Sequence, residues 1–137
     1  MPDAPQISDA EWEVMKTIWE GGGAPTAGEV VQRMEAAGSA WRPRTIKTLL
    51  ARLVQKGAVR AEPDAQTPRT FRYRAAVSRE ACVRQESRSF LARVFDGDVA
   101  PALLHFVKAS DLSRDEINRL KQILDDEAST KKKGRVS

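Results

Sequence analysis

Apolar side chains recur at Trp12, Met15, Ile18 and Trp19 directly after the run Ser8-Asp9-Ala10-Glu11. Ser followed three residues later by Glu is a helix start, because each side chain bonds the other's exposed backbone N–H. Gly21-Gly22-Gly23 predicts the stop. The same grammar returns at Thr26-Ala27-Gly28-Glu29, which leads into Val30, Val31 and Met34 and ends at Gly38. A third helix opens at Trp41-Arg42-Pro43, proline being favoured where a first-turn N–H has no partner anyway, and ends at Gly57. The period then changes from helical to alternating. Ala58 to Ala61 and Thr70 to Arg74 read as two short strands around a polar loop from Pro63 to Pro68, with Phe71 and Tyr73 facing the core.

From Ser78 the helical period resumes through Val83, Phe90, Leu91 and Val94, with Gly97 just beyond. Val99, Leu103, Leu104 and Val107 predict a fifth helix. Ser113-Arg114-Asp115-Glu116 caps a sixth that carries Ile117, Leu120, Ile123 and Leu124. Three helices, a basic hairpin and three further helices give a mainly α chain with one small hairpin. That is the order of a winged helix-turn-helix domain over 1–76 and a three-helix dimerisation domain over 77–128. Residues 129–137 are expected to form a disordered basic tail.

Charge sharpens this picture more than composition does. The net charge of +4 is modest, but residues 41–74 hold nine basic and two acidic side chains, while residues 1–40 hold two and seven. A basic block inside an otherwise acidic chain is the expected footprint of phosphate contact. At 100° per residue, Ile46, Leu49, Leu50 and Leu53 share the core face of the third helix. Arg44, Lys47, Thr48, Ala51 and Gln55 then face away, with Thr45 and Arg52 on the flank. A solvated helix usually mixes charge signs to gain pairs along its face, so a one-signed face asks for an anionic partner. A B-DNA major groove fits, since it offers guanine N7 and O6 to Arg or Lys and thymine methyls to Thr or Ala. Arg42, Arg44, Thr45, Lys47, Thr48 and Arg52 are therefore the expected DNA contacts on the helix. Arg69, Arg72 and Arg74 are expected to extend them along the hairpin. The competing readings are a protein-interaction domain and a non-specific nucleic-acid binder.

The three C-terminal helices expose more apolar surface than they can cover alone, so pairing with a second copy is expected. Phe90, Leu91, Val94, Leu103, Val107, Leu120 and Leu124 are the candidate interface. Other chemistry finds little support. His105 has no ligand-type neighbour at metal spacing, and Cys82 is alone, which rules out an internal disulfide framework. Trp12, Trp19 and Trp41 read as core. No acid/base pair or Gly-rich phosphate loop is left over, so neither an enzyme, a metal nor a cofactor is expected. No apolar run approaches the roughly 20 residues of a membrane span. Residues 1–7 lack an export-type pattern, and a cytoplasmic location is expected.

Several stretches together resemble the penicillinase and methicillin-resistance repressor family, BlaI/MecI type. They are Ile7 to Met15, Trp41 to Leu53, Glu86-Ser87-Arg88-Ser89-Phe90, Phe106-Val107 and Asp111 to Ile117, within a similarity running from Ile7 to Asp126. The resemblance implies a winged-helix domain, a C-terminal dimerisation domain, a palindromic operator and repression of transcription. It also implies relief of repression by a membrane sensor-protease system that cuts the first dimerisation helix, here at Ser89–Phe90. Ser89 stands where the best-known members carry Asn, and Arg42 where Ser or Asn is usual. A copper-sensing sister group would need several soft thiolates, and Cys82 is the only cysteine.

Overall fold

The computed structural model describes residues 4–136, with side chains described through Lys131. The elements are α1 (Asp9–Gly21), α2 (Ala27–Ala36), α3 (Pro43–Lys56), β1 (Val59–Pro63), β2 (Phe71–Ala75), α4 (Arg79–Phe95), α5 (Val99–Ala109) and α6 (Arg114–Val136). The expected class and element order hold, with strand ends shifted by a residue or two. All three capping boxes form. Ser8 and Glu11 exchange bonds at the start of α1, Thr26 and Glu29 at α2, and Ser113 and Glu116 at α6. At the other end of α3, Gly57 adopts φ 82° and its N–H caps the helix. That left-handed backbone favours glycine because it has no Cβ.

The chain divides into two compact units, Met1–Phe90 and Leu91–Ser137. In the first, α1, α2 and α3 bury Val14, Met15, Ile18, Val30, Val31, Met34, Ile46, Leu49, Leu50 and Leu53 in one core. Ala58 and Val59 of the hairpin and Cys82 of α4 complete it. Losing one of these leucines would cost about 2–5 kcal/mol, against about 1 kcal/mol for a cap. Burial therefore places the helices, and the caps set where they begin. Trp12 and Trp19 pack edge to face at the margin with centroids 5.8 Å apart. The Trp19 indole N–H donates to Val77 O at 3.1 Å. Strands β1 and β2 pair antiparallel, Val59 opposite Ala75 and Pro63 opposite Phe71.

Four expectations need correction. The boundary between units falls after Phe90 instead of at 76/77, because the first half of α4 packs Ala81 and Cys82 onto the winged-helix core. Phe71 is 46 % exposed; it shares a strand face with Tyr73 but pairs with Pro63 at the far end of the hairpin. Alternation fixes which face a side chain takes, not how far the core extends beneath it. Trp41 is 39 % exposed. It precedes the helix and donates its indole N–H to the Glu13 carboxylate. Finally, α6 continues to Val136 through the segment expected to be disordered. Ala128 and the lysines that follow are good helix formers, and lack of an apolar period does not break a helix. Ser137 lies outside the described residues.

In the second unit, α4 gives way to α5 through Asp96 and Gly97, both at positive φ, with the Gly97 N–H reaching back to Leu91 O at 2.9 Å. The Phe95 and His105 rings lie 5.7 Å apart. Ala102 is the buried apolar residue of α5 and α6 among those described.

Candidate nucleic-acid interface

Helix α3 presents the surface that its periodicity predicts. Ile46, Leu49, Leu50 and Leu53 are buried, while Arg44, Lys47, Thr48, Ala51, Arg52 and Gln55 are exposed and Thr45 is half-buried. Arg42 is the N-cap residue and makes no side-chain cap bond. The first turn has no acidic residue and no side-chain cap, and the positive end of a helix dipole favours a nearby anion. Among the described residues, Arg42, Arg44, Lys47 and Arg52 make no ion pair. The Thr48 hydroxyl donates to Arg44 O at 3.0 Å, so its oxygen lone pairs and methyl remain for an outside partner.

The far end of α3 is anchored differently. Lys56 Nζ donates to Gln6 O at 2.9 Å and pairs with the Glu11 carboxylate, which is 1 % exposed. Burial pushes the Glu11 carboxyl up, but hydrogen bonds from Lys56 and from Ser8 outweigh it and hold the group below the usual carboxylate range. Glu11 is thus a cap, as its spacing indicates, and also half of a buried ion pair. No local pattern reveals the second role, because 45 residues separate the partners.

The hairpin arginines are not equivalent. Arg69 lies exposed in the loop, without an ion pair among the described residues. Arg74 is paired with Glu62 at 3.6 Å. Arg72, expected on a free outer face, is instead drawn inward. Its Nε donates to Asp64 Oδ1 at 2.9 Å and its Nη1 to Ala24 O at 2.9 Å. The guanidinium holds the Asp64 carboxyl below the usual carboxylate range. The reason is that residues 24–26 run beside β2, with Thr26 bridged to Arg72 and the Tyr73 N–H donating to Pro25 O. The edge of β2 not paired with β1 is therefore occupied at Arg72 and Tyr73.

The candidate dimer residues all carry apolar surface. Phe90 and Leu91 are half-buried on α4, Val94 is 56 % exposed, and Leu103, Val107, Leu120 and Leu124 are exposed on α5 and α6. Val99, Leu104, Phe106, Ile117 and Ile123 are exposed as well, so the uncovered surface extends beyond the seven candidate positions. Ser89 and Phe90 lie inside α4, both half-buried. Burial pushes the Cys82 thiol up, which disfavours the reactive thiolate.

Residues 7–126 match the family model described as Penicillinase repressor. The penicillinase repressor of Bacillus licheniformis is 39% identical over 132 residues, covering 96% of this chain and 99% of that protein. The methicillin resistance regulatory protein MecI of Mammaliicoccus sciuri is 35% identical over 119 residues, 87% of this chain and 93% of that one. Among solved structures, the monomeric form of Bacillus licheniformis BlaI in complex with the blaP half-operator is 38% identical, with a TM-score of 0.48. It covers 59% of this chain and 93% of its own. The chain, matched along nearly its whole length, belongs to the penicillinase repressor family.

Proposed function

We propose that the chain represses transcription by binding a palindromic operator as a homodimer, with α3 in the major groove and the hairpin as a flanking wing. One observation carries this reading. The exposed face of α3 holds Arg44, Lys47 and Arg52 with no counter-charge among the described residues, beside the small contact residues Thr48 and Ala51. Arg42 at the helix start adds a phosphate-directed charge, and Thr45 lies at the shoulder of the same turn. Membership in a repressor family, and not in a family of enzymes, supports the same conclusion.

The exposed apolar side chains of α5 and α6 support dimerisation. It would place two recognition helices about 34–36 Å apart, one DNA turn, and so match a two-fold operator. Release of repression by proteolysis at Ser89–Phe90, through a membrane sensor-protease system, completes the proposal by family resemblance. The bond sits one residue before the boundary between the two compact units, so cleavage would separate the DNA-binding unit from the helical one. Both residues lie within α4, so a protease must first unwind that turn. No helix among the described residues is long and apolar enough to cross a membrane, and a cytoplasmic location is part of the proposal.

The test is a titration of a DNA duplex recovered from a randomised pool by the wild-type chain. Arg44→Ala and Lys47→Ala should each weaken binding about 5- to 150-fold, corresponding to loss of a base contact worth about 1–3 kcal/mol. Lys121→Ala, on exposed α6, should change it less than about twofold. Equal effects of all three would favour non-specific electrostatic binding.

A further inference from the structure

We propose that Arg72 is not a DNA contact of the wing but a positioning residue, a clasp that fixes the wing against the helical body. This inference rests on the DNA-binding reading above. Three elements converge on the guanidinium. Asp64, at the start of the hairpin loop, accepts from Nε at 2.9 Å. Ala24 O, in the turn between α1 and α2, accepts from Nη1 at 2.9 Å. The Glu29 carboxylate, which also caps α2, lies 3.8 Å from Nη1. The backbone runs the same way, since Thr26 bridges to Arg72 and the Tyr73 N–H donates to Pro25 O at 2.9 Å. Asp64 is in turn held by its own N–H donating to Thr70 O at 2.8 Å, which closes the base of the loop.

The charge of Arg72 is thus faced by two carboxylates, and two of its N–H donors are already held by the Asp64 carboxylate and the Ala24 carbonyl, so it offers a phosphate less charge and fewer donors than an unpaired arginine. Arg69, exposed in the hairpin loop, has no such competitors among the described residues. Two arginines three positions apart therefore have different roles. Arg69 offers charge to the DNA, and Arg72 sets the angle at which it is offered. Arginine alone suits the positioning role, because its fork can bond Asp64 and Ala24 O at once, whereas a lysine presents a single point charge.

Salt dependence separates the two roles, because each phosphate contact adds about 0.9 to the slope of log K against log salt. The probe is the duplex recovered from a randomised pool by the wild-type chain, titrated across a range of salt with each full-length variant. Arg69→Ala should reduce the slope by about 0.9. Arg72→Gln and Arg72→Lys should each leave the slope unchanged and weaken binding about 3- to 10-fold at every salt concentration, a size suited to a partly exposed clasp. Asp64→Asn should weaken binding similarly, and the Arg72→Gln/Asp64→Asn pair no more than either alone. A slope lower by about 0.9 in Arg72→Gln, full rescue by Arg72→Lys, tighter binding by Asp64→Asn, or unchanged affinity in Arg72→Gln would each overturn the proposal. Failure of the wild-type chain to enrich any duplex would overturn the DNA reading itself, and with it the basis of the clasp.

Discussion

At the scale of single residues, one carboxylate shows how a single side chain can serve both a local and a long-range structural role. Glu11 caps α1, is buried, and receives Lys56 from the last turn of α3. Its folded pKa lies below the ordinary value. The stability it contributes is therefore present above the unfolded carboxylate range, about 4.3, and is lost as pH falls through the lower folded value. Lys56→Met removes the counter-charge and leaves the desolvation. Denaturant melts should show a loss of about 1–3 kcal/mol at pH 7, below the usual figure for a broken buried pair because the lysine side chain is 37 % exposed. They should also show a shallower loss of stability on acidification. An unchanged acid limb would mean that the pair does not act as described. Spacing alone identifies Glu11 as a cap, since Ser8 is three residues away. The Lys56 pairing is invisible at that range, as is the inward turn of Arg72, because both depend on which segments the fold brings together.

At the scale of elements, the three capping boxes and the core face of α3 are legible in sequence because both arise from bonds and periods within a few residues. The places where pattern fails are places where a local rule has no knowledge of its surroundings. Phe71 alternates correctly yet lies beyond the core, and α6 continues through a polar stretch that still favours a helix. The start of α3 is an exception to the local rule. Arg42 occupies an N-cap without capping, which forgoes about 1 kcal/mol and adds a charge at the start of the helix. Arg42→Ser should raise stability by about 1 kcal/mol, read from the thermal midpoint. The same substitution should lower the salt slope of DNA binding by about 0.9. Higher stability with an unchanged slope would show that Arg42 makes no phosphate contact.

At the scale of the whole molecule, the chain joins a well-buried unit to one whose apolar side chains are largely uncovered. Leu124 is 53 % exposed and Leu120 39 %, a poor arrangement for a solitary helical unit and a suitable one for pairing. Replacing both with Glu should turn a sedimenting dimer into a monomer and weaken operator binding at least about tenfold, since each half-site must then be held alone. A variant that still sediments as a dimer would place the interface elsewhere. The apolar period in the sequence marks these positions; exposure in the folded chain distinguishes the ones the unit leaves uncovered from the ones it buries. The central claim, sequence-specific recognition by paired α3 helices, is tested most directly by a footprint of the wild-type chain on the duplex it selects from a randomised pool. The account predicts protection of a palindrome whose half-sites lie about 10 base pairs apart or a multiple of that. Uniform protection without a palindrome would contradict it.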